Sequence, residues 1–267
     1  MNLLCAPCLA LCLLLAGCGH AADGPTRTEV VGSQRLAVDV YEPAGDAPHS
    51  GRPAVLMVHG GGWAAGDRSE LRDLARFAAR EGVVALSMDY RLTSQAGVHW
   101  PMPAEDVAAV LAWTRAHADA LGIDPRRIAL LGGSAGGHLA AWIARDPDPA
   151  KRPARLIVLW GPWDLRAMSP DAPAWVPGSV AALLAGQPAG DASPLAHLVR
   201  GMPPTLIVHG TADPLVPIDQ SRRACAALQA LGNACTLLEL PGQGHAPEDP
   251  AEVQRAMAAI REALAAL

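Results

Sequence analysis

Residues 128–140, Ile-Ala-Leu-Leu-Gly-Gly-Ser-Ala-Gly-Gly-His-Leu-Ala, halt an apolar run at two glycines and set one hydroxyl before the run resumes. Gly132-Gly133-Ser134-Ala135-Gly136 fits G-x-S-x-G, with a strand pattern before it and a helical rhythm after it. A serine at such a bend takes a strained backbone conformation, and side-chain-free neighbours leave room for the tight turn. Its oxygen is pushed out above the sheet, and the next helix N-terminus adds partial positive charge. The chemistry this suits is attack by an activated hydroxyl. A glycine-rich anion-binding turn, or a plain strand–helix connection, would read the same way in isolation. A second glycine cluster, His59-Gly60-Gly61-Gly62-Trp63, follows the apolar run Ala54–Val58. Bare backbone N–H groups there can come close to a developing oxyanion.

Together the two clusters resemble the α/β-hydrolase family, in its hormone-sensitive-lipase-like and feruloyl-esterase-like carboxylesterase branch. The resemblance implies that Ser134 is the nucleophile and that Gly61, Gly62 and Ala135 supply the oxyanion donors. The family's chain order is nucleophile, acid, base. Thr211-Ala212-Asp213-Pro214-Leu215-Val216-Pro217, after the run Thr205–Gly210, then assigns Asp213 as the acid. Gln243-Gly244-His245, after the run Cys235–Gly242, assigns His245 as the base. Asp219 is the nearest rival acid, but it falls inside the following helix. His59 is read as a support for its loop, and His138 and His209 as structural. Further landmarks are Ser87–Leu92, Trp100–Ala140 and Ala192–Leu195, so the likeness spans nearly all of residues 30–262.

The implied activity is hydrolysis of carboxylic esters through an acyl-enzyme, without cofactor or metal. Short-chain acyl esters, aryl esters and acetylated or feruloylated carbohydrate are the substrate classes in view. An aryl formamidase or a peptidase would use the same three groups, and a binding protein would use the pocket without chemistry. One departure matters. The branch usually carries an N-terminal cap of helices, whereas only about ten residues separate Cys18 from the first strand pattern here. The cleft is therefore expected to be more open and covered mainly by residues 164–200.

Elements must carry these groups to one place. Thr28–Pro43 alternates apolar and polar residues about Gly32-Ser33-Gln34, the pattern of an antiparallel hairpin. Six later runs are apolar throughout, as strands buried on both faces of a parallel sheet are. Helical spacing lies between them. One helix is expected from an N-cap at Asp67 to a stop at Gly82, with Leu71, Leu74, Phe77 and Ala78 inward. Others are expected over 103–119, 134–145, 217–231 and 248–266. The alternation predicts an α/β fold, a mostly parallel doubly wound sheet of about eight strands within one domain, 28–267. Residues 164–200, rich in Pro, Ala and Gly, break the rhythm as a lid-like insertion.

Hydrophobic residues make up 51% of the 267, enough for a large core, and the net charge is −5. No basic stripe suggests a nucleic-acid partner. The nine histidines show no metal-ligand spacing. Oligomeric state leaves no sequence signal.

The run Leu3–Ala16 suits a secretory signal, and Leu15-Ala16-Gly17-Cys18 resembles a bacterial lipobox. Residues 1–17 then form the signal peptide, Cys18 takes the lipid, and 18–27 form a linker. The protein would sit in the cell envelope as a periplasmic lipoprotein anchored to the membrane. Cleavage near Ala21, leaving a soluble periplasmic or secreted protein, and an uncleaved anchor are the alternatives. Cys225 and Cys235 then remain, either as a disulfide or as two separate thiols. Seven tryptophans stand against one phenylalanine. Trp63, Trp160 and Trp163 leave expected strand ends and are candidates to line an apolar pocket.

Overall fold

Each wholly apolar run becomes a strand whose two faces pack against different helices. The structure is a computed structural model describing residues 24–267, so the leader 1–17 and Cys18 lie outside the described residues. Eight strands are present: β1 (Arg27–Val31), β2 (Leu36–Tyr41), β3 (Arg52–Val58), β4 (Val84–Met88), β5 (Ile123–Gly133), β6 (Arg155–Leu159), β7 (Thr205–Gly210) and β8 (Cys235–Leu240). They form one sheet in the order β1-β2-β4-β3-β5-β6-β7-β8. The hairpin β1–β2 is antiparallel and β2 pairs antiparallel with β4, while all later pairings are parallel.

Among the described residues, seven α-helices accompany them: α1 (Arg72–Arg80), α2 (Met102–Ala116), α3 (Ala118–Leu121), α4 (Ala135–Ala144), α5 (Trp175–Leu184), α6 (Ile218–Ala230) and α7 (Pro250–Ala265). The two-residue period of a strand sorts the core into two layers. Ala54, Leu56 and Val58 of β3 pack with residues of α2, α4 and α6, whereas Val55 and Met57 pack with α1 and α7. Helices therefore cover both sides, as the apolar runs required.

Local details differ from the sequence reading for identifiable reasons. Asp67 does cap, accepting the Ser69 N–H at 2.7 Å, but it caps a 3₁₀ turn over Arg68–Leu71, and α1 begins only at Arg72. The helix expected over 103–119 stops at Ala116, and the short α3 follows, ending at Gly122 with φ +63°. Residues 164–200 contain α5 as well as irregular chain. Val176, Val180, Leu183 and Leu184 form its buried stripe. Cys225 of α6 and Cys235 of β8 are joined as a disulfide, with Cα atoms 5.5 Å apart.

The strand order explains where a site can form. After β3 the chain crosses through α1 to β4 on one side, and later elements add β5 on the other. Open sheets bind ligands at such a reversal, outside the carboxyl ends of the strands. Parallel register sets Val58 of β3 opposite Gly132 of β5. The glycine loop after β3 and the serine bend after β5 thus emerge side by side.

Candidate active site

Ser134 links β5 to α4 with φ +51° and ψ −121°, a conformation that costs a non-glycine residue of order 1–3 kcal/mol. Close packing enforces it. A Cβ on Gly132 would lie 2.2 Å from the Gly136 carbonyl oxygen, and one on Gly136 would lie 2.1 Å from that of Val58. Gly133 meets nothing closer than 3.9 Å, so the second position of the pattern tolerates a side chain where its ends do not. The Ser134 N–H is held by the Leu159 carbonyl at 2.9 Å.

His245 and Asp213 reach the serine from two further strand ends. Asp213 follows β7, two strand spacings or about 10 Å from β5. The loop after β8 must therefore come back across the sheet edge to deliver His245. It is stitched to the acid loop as it does so. The Thr211 N–H donates to the Leu240 carbonyl at 3.0 Å, and the Ala212 N–H to that of Gln243 at 2.9 Å. The Gln243 side chain in turn accepts the N–H groups of Glu248 and Asp249 at 2.9 and 3.0 Å.

The three side chains then form a hydrogen-bonded line. His245 Nδ1–H donates to Asp213 Oδ2 at 2.8 Å, and Ser134 Oγ–H donates to His245 Nε2 at 2.8 Å. The proton positions follow from the partners, because a carboxylate only accepts and so leaves Nε2 bare. Asp213 Oδ1 accepts the backbone N–H groups of Leu215 at 2.8 Å and Val216 at 3.0 Å. Burial alone would raise the Asp213 pKa. Hydrogen bonds from His209 and His245 and the nearby imidazole charge outweigh it and hold the carboxyl far below the usual range. Asp219, the rival acid, is exposed and pairs with Arg222 at 3.0 Å.

Gly62 and Ala135 line the cleft beside Ser134. Among the described residues, none accepts a hydrogen bond from either amide. Gly61, the other donor expected from this loop, has φ +92°, and its carbonyl accepts the Ala64 and Ala65 N–H groups, which closes the turn. His59 stacks on Tyr90 with ring centroids 4.3 Å apart, and the Tyr90 hydroxyl donates to the Gly60 carbonyl at 2.9 Å. Burial lowers the His59 pKa.

The tryptophans divide. Trp63 lines the cleft and donates its indole N–H to His138 Nδ1 at 3.3 Å. Trp160 lies behind the histidine, its ring centroid 6.4 Å from that of His245, and is not among the cleft residues. Trp163 corrects the sequence reading. It is 0% exposed and packs in the core layer of α2 and α4, so it lines nothing. A tryptophan after a strand end looks the same in sequence whether the chain turns it outward or folds it under.

Residues 38–228 match the sequence profile of BD-FAE. The chain belongs to the BD-FAE family. Esterase LipC of Mycobacterium tuberculosis is 33% identical over 75% of this chain and 54% of its own length. The probable carboxylic ester hydrolase LipM of the same organism is 30% identical over 73% of this chain and 49% of its own. The chain thus spans about half the length of these curated relatives. Among solved structures, esterase 2 of Thermogutta terrifontis phosphonylated by sarin superposes with a TM-score of 0.78 at 29% identity, covering 88% of this chain and 92% of that one. Its propionate-bound form gives 0.78 at 29% identity, covering 92% and 96%.

Other residues of this BD-FAE protein were not assigned from sequence. Met168, Trp175, Val176, Leu215 and Val216 complete the apolar wall with Trp63. Leu215 and Val216 sit two and three residues after the acid, where the same turn that caps Asp213 presents their side chains. Trp175, 48% exposed, stands on α5 at the mouth. The spacing of the α5 stripe was the available signal.

Proposed function

We propose that the protein is a serine carboxylesterase acting on neutral esters with short acyl groups, with Ser134, His245 and Asp213 as its triad. The observation that carries this is the unbroken line Ser134–His245–Asp213, at 2.8 and 2.8 Å, with the serine on a strained bend beside two free amides. Ser134 Oγ attacks the ester carbonyl carbon while its proton passes to His245 Nε2. The oxyanion so formed is received by the N–H groups of Gly62 and Ala135, each donor of this kind stabilising the transition state by roughly 3 kcal/mol. Gly61 holds the loop that aims the first of them. Collapse breaks the ester C–O bond, and the proton on Nε2 goes to the leaving alkoxide. Water then loses a proton to Nε2, adds to the acyl carbon and releases the carboxylic acid, restoring Ser134.

The cleft supports the acyl preference. Its walls are apolar apart from Ser134, His245 and Ser179, which suits an uncharged acyl chain. Propionate and butyrate are bound in the Thermogutta terrifontis esterase 2 structures. The relatives reported above are esterases, so formamide and peptide substrates are not favoured. The test is a series of p-nitrophenyl esters from acetyl to decanoyl, run on wild type and Ser134→Ala. Expected is a maximum among the shortest chains that vanishes in the variant. A maximum at eight or more carbons would refute the acyl assignment.

The reading extends to location: a lipoprotein of the cell envelope, held through Cys18. The lipobox-like Leu15–Cys18 and the Cys225–Cys235 disulfide, suited to an oxidising compartment, support it. Metabolic labelling with a palmitate analogue should mark the wild type and not Cys18→Ala. Label retained in the variant would remove the anchor.

A further inference from the structure

We propose that His209 is a positioning residue for catalysis, locking the Asp213 carboxylate so that its orientation does not depend on His245 alone. The inference rests on the triad reading above. His209 is the penultimate residue of β7, and its side chain and that of Asp213 are completely buried. Its Nε2 lies 3.0 Å from Asp213 Oδ2 and 2.9 Å from the Val216 carbonyl oxygen. Both are pure acceptors, so Nε2 carries a hydrogen and shares it between them. At the other side of the ring Nδ1 lies 2.6 Å from Ser221 Oγ on α6. Whichever of those two atoms donates, the Nε2–H still points at the carboxylate.

Asp213 therefore receives four donors from three directions. Two backbone amides hold Oδ1, and the two imidazoles, His209 and His245, share Oδ2. The two imidazoles are not equivalent. His245 is partly open to the cleft and takes up and releases a proton in each turnover, whereas His209 is pinned between a strand, a turn and a helix. Remove His209 and Oδ2 is held only by the group it is meant to orient. The Val216 carbonyl ties this lock to the cleft, because Val216 both caps Asp213 through its N–H and lines the acyl wall. A misplacement near 1 Å in such a relay costs on the order of 100-fold in rate.

The test compares His209→Gln, His209→Asn and His209→Leu in the full chain. Gln carries its amide N–H near the position of Nε2, while Asn and Leu present no donor to Oδ2. Each preparation is titrated with a fluorophosphonate, so that kcat refers to competent sites only. Expected is a fall in kcat of about 10- to 100-fold for Asn and Leu, KM within about twofold of wild type, and recovery to within about threefold in Gln. A merely structural role predicts loss of titratable sites and of Tm with normal kcat in those that remain, and that result overturns the proposal. So do equal kcat values for Gln and Asn, a comparison that decides even where the Leu variant does not fold. Ser134→Ala separates the levels: if it keeps activity the triad reading fails, whereas a dead Ser134→Ala beside an unimpaired His209→Asn fails this inference alone.

Discussion

The rim of the sheet and the wall formed by residues 164–200 meet at the same cleft but are built on different principles. On the rim, backbone geometry does the positioning: Ser134 strained at its bend, Gly132 and Gly136 packed too closely for any side chain, and the acid and histidine loops sewn together. The wall lines the cleft with Met168, Trp175, Val176 and Ser179. It is fastened at its two ends. Near its start the Gln220 carboxamide takes the Trp163 and Asp164 N–H groups, each at 2.8 Å, and at its end His138 Nε2–H donates to the Ala192 carbonyl at 2.7 Å. Between those points α5 stands at the cleft, its Leu183 carbonyl accepting the Trp100 N–H at 2.7 Å. On the proposed function, the rim fixed by backbone is what breaks the bond and the wall is what selects the acyl group. Substitutions should therefore change rate on the rim and selectivity on the wall.

The sharpest break of that comparison is Asp213→Asn. It removes the charge facing His245 and favours the wrong tautomer, so kcat should fall by about 10⁴-fold, or ~5 kcal/mol, with KM little altered. Steady-state kinetics on p-nitrophenyl acetate would check it, and a loss confined to KM would contradict the rim's role.

The tie between rim and wall should show as acid sensitivity. Burial pushes the His138 pKa down from 6.5 to about 4, so the folded state binds fewer protons than the unfolded chain between those values. Stability is then lost as pH falls from 6.5 towards 4, by about 3 kcal/mol from this residue. His59, also lowered by burial, adds to the same window. Below it Asp213 takes over: its depressed pKa contributes stability above the unfolded value near 3.9, lost as pH drops further. Denaturant titrations across pH 4–7 on wild type and His138→Asn should show the slope flattened in the variant. An unchanged slope would remove His138 from the account.

The smallest effect is expected on the wall. Trp175→Ala opens the mouth and should move the preferred acyl length upward by two or more carbons while the acetyl ester changes by less than about tenfold, under ~1.4 kcal/mol. A large loss of kcat on the acetyl ester would mean that the wall, too, orders the chemistry.

The rim was far more legible in the sequence than the wall, for a physical reason. Ser134, Asp213 and His245 each stand just beyond an apolar run, and the turn at Ser134 needs glycines at fixed offsets, so chemistry and backbone left the same mark. Residues 164–200 carry Pro177 and Gly178 inside the first turn of α5, where proline is tolerated, and their apolar stripe was hidden among alanines. Trp163 looked like a cleft residue because sequence shows that a side chain leaves a strand end and not which way it turns. His209 reads as structural in the sequence because it adjoins an element already explained. Its neighbour four positions on, Asp213, was the clue to more. The pairing of Cys225 with Cys235 depended on how α6 folds back on β8, which spacing alone does not specify.

The central claim is that Ser134 is the nucleophile of a three-residue relay. Treating the protein with a fluorophosphonate and locating the adduct by peptide mass spectrometry tests it most directly. The account predicts one adduct per chain, on the peptide containing Ser134, and none in Ser134→Ala or after denaturation. An adduct on any other residue, or ester hydrolysis persisting at the wild-type rate in Ser134→Ala, would contradict it.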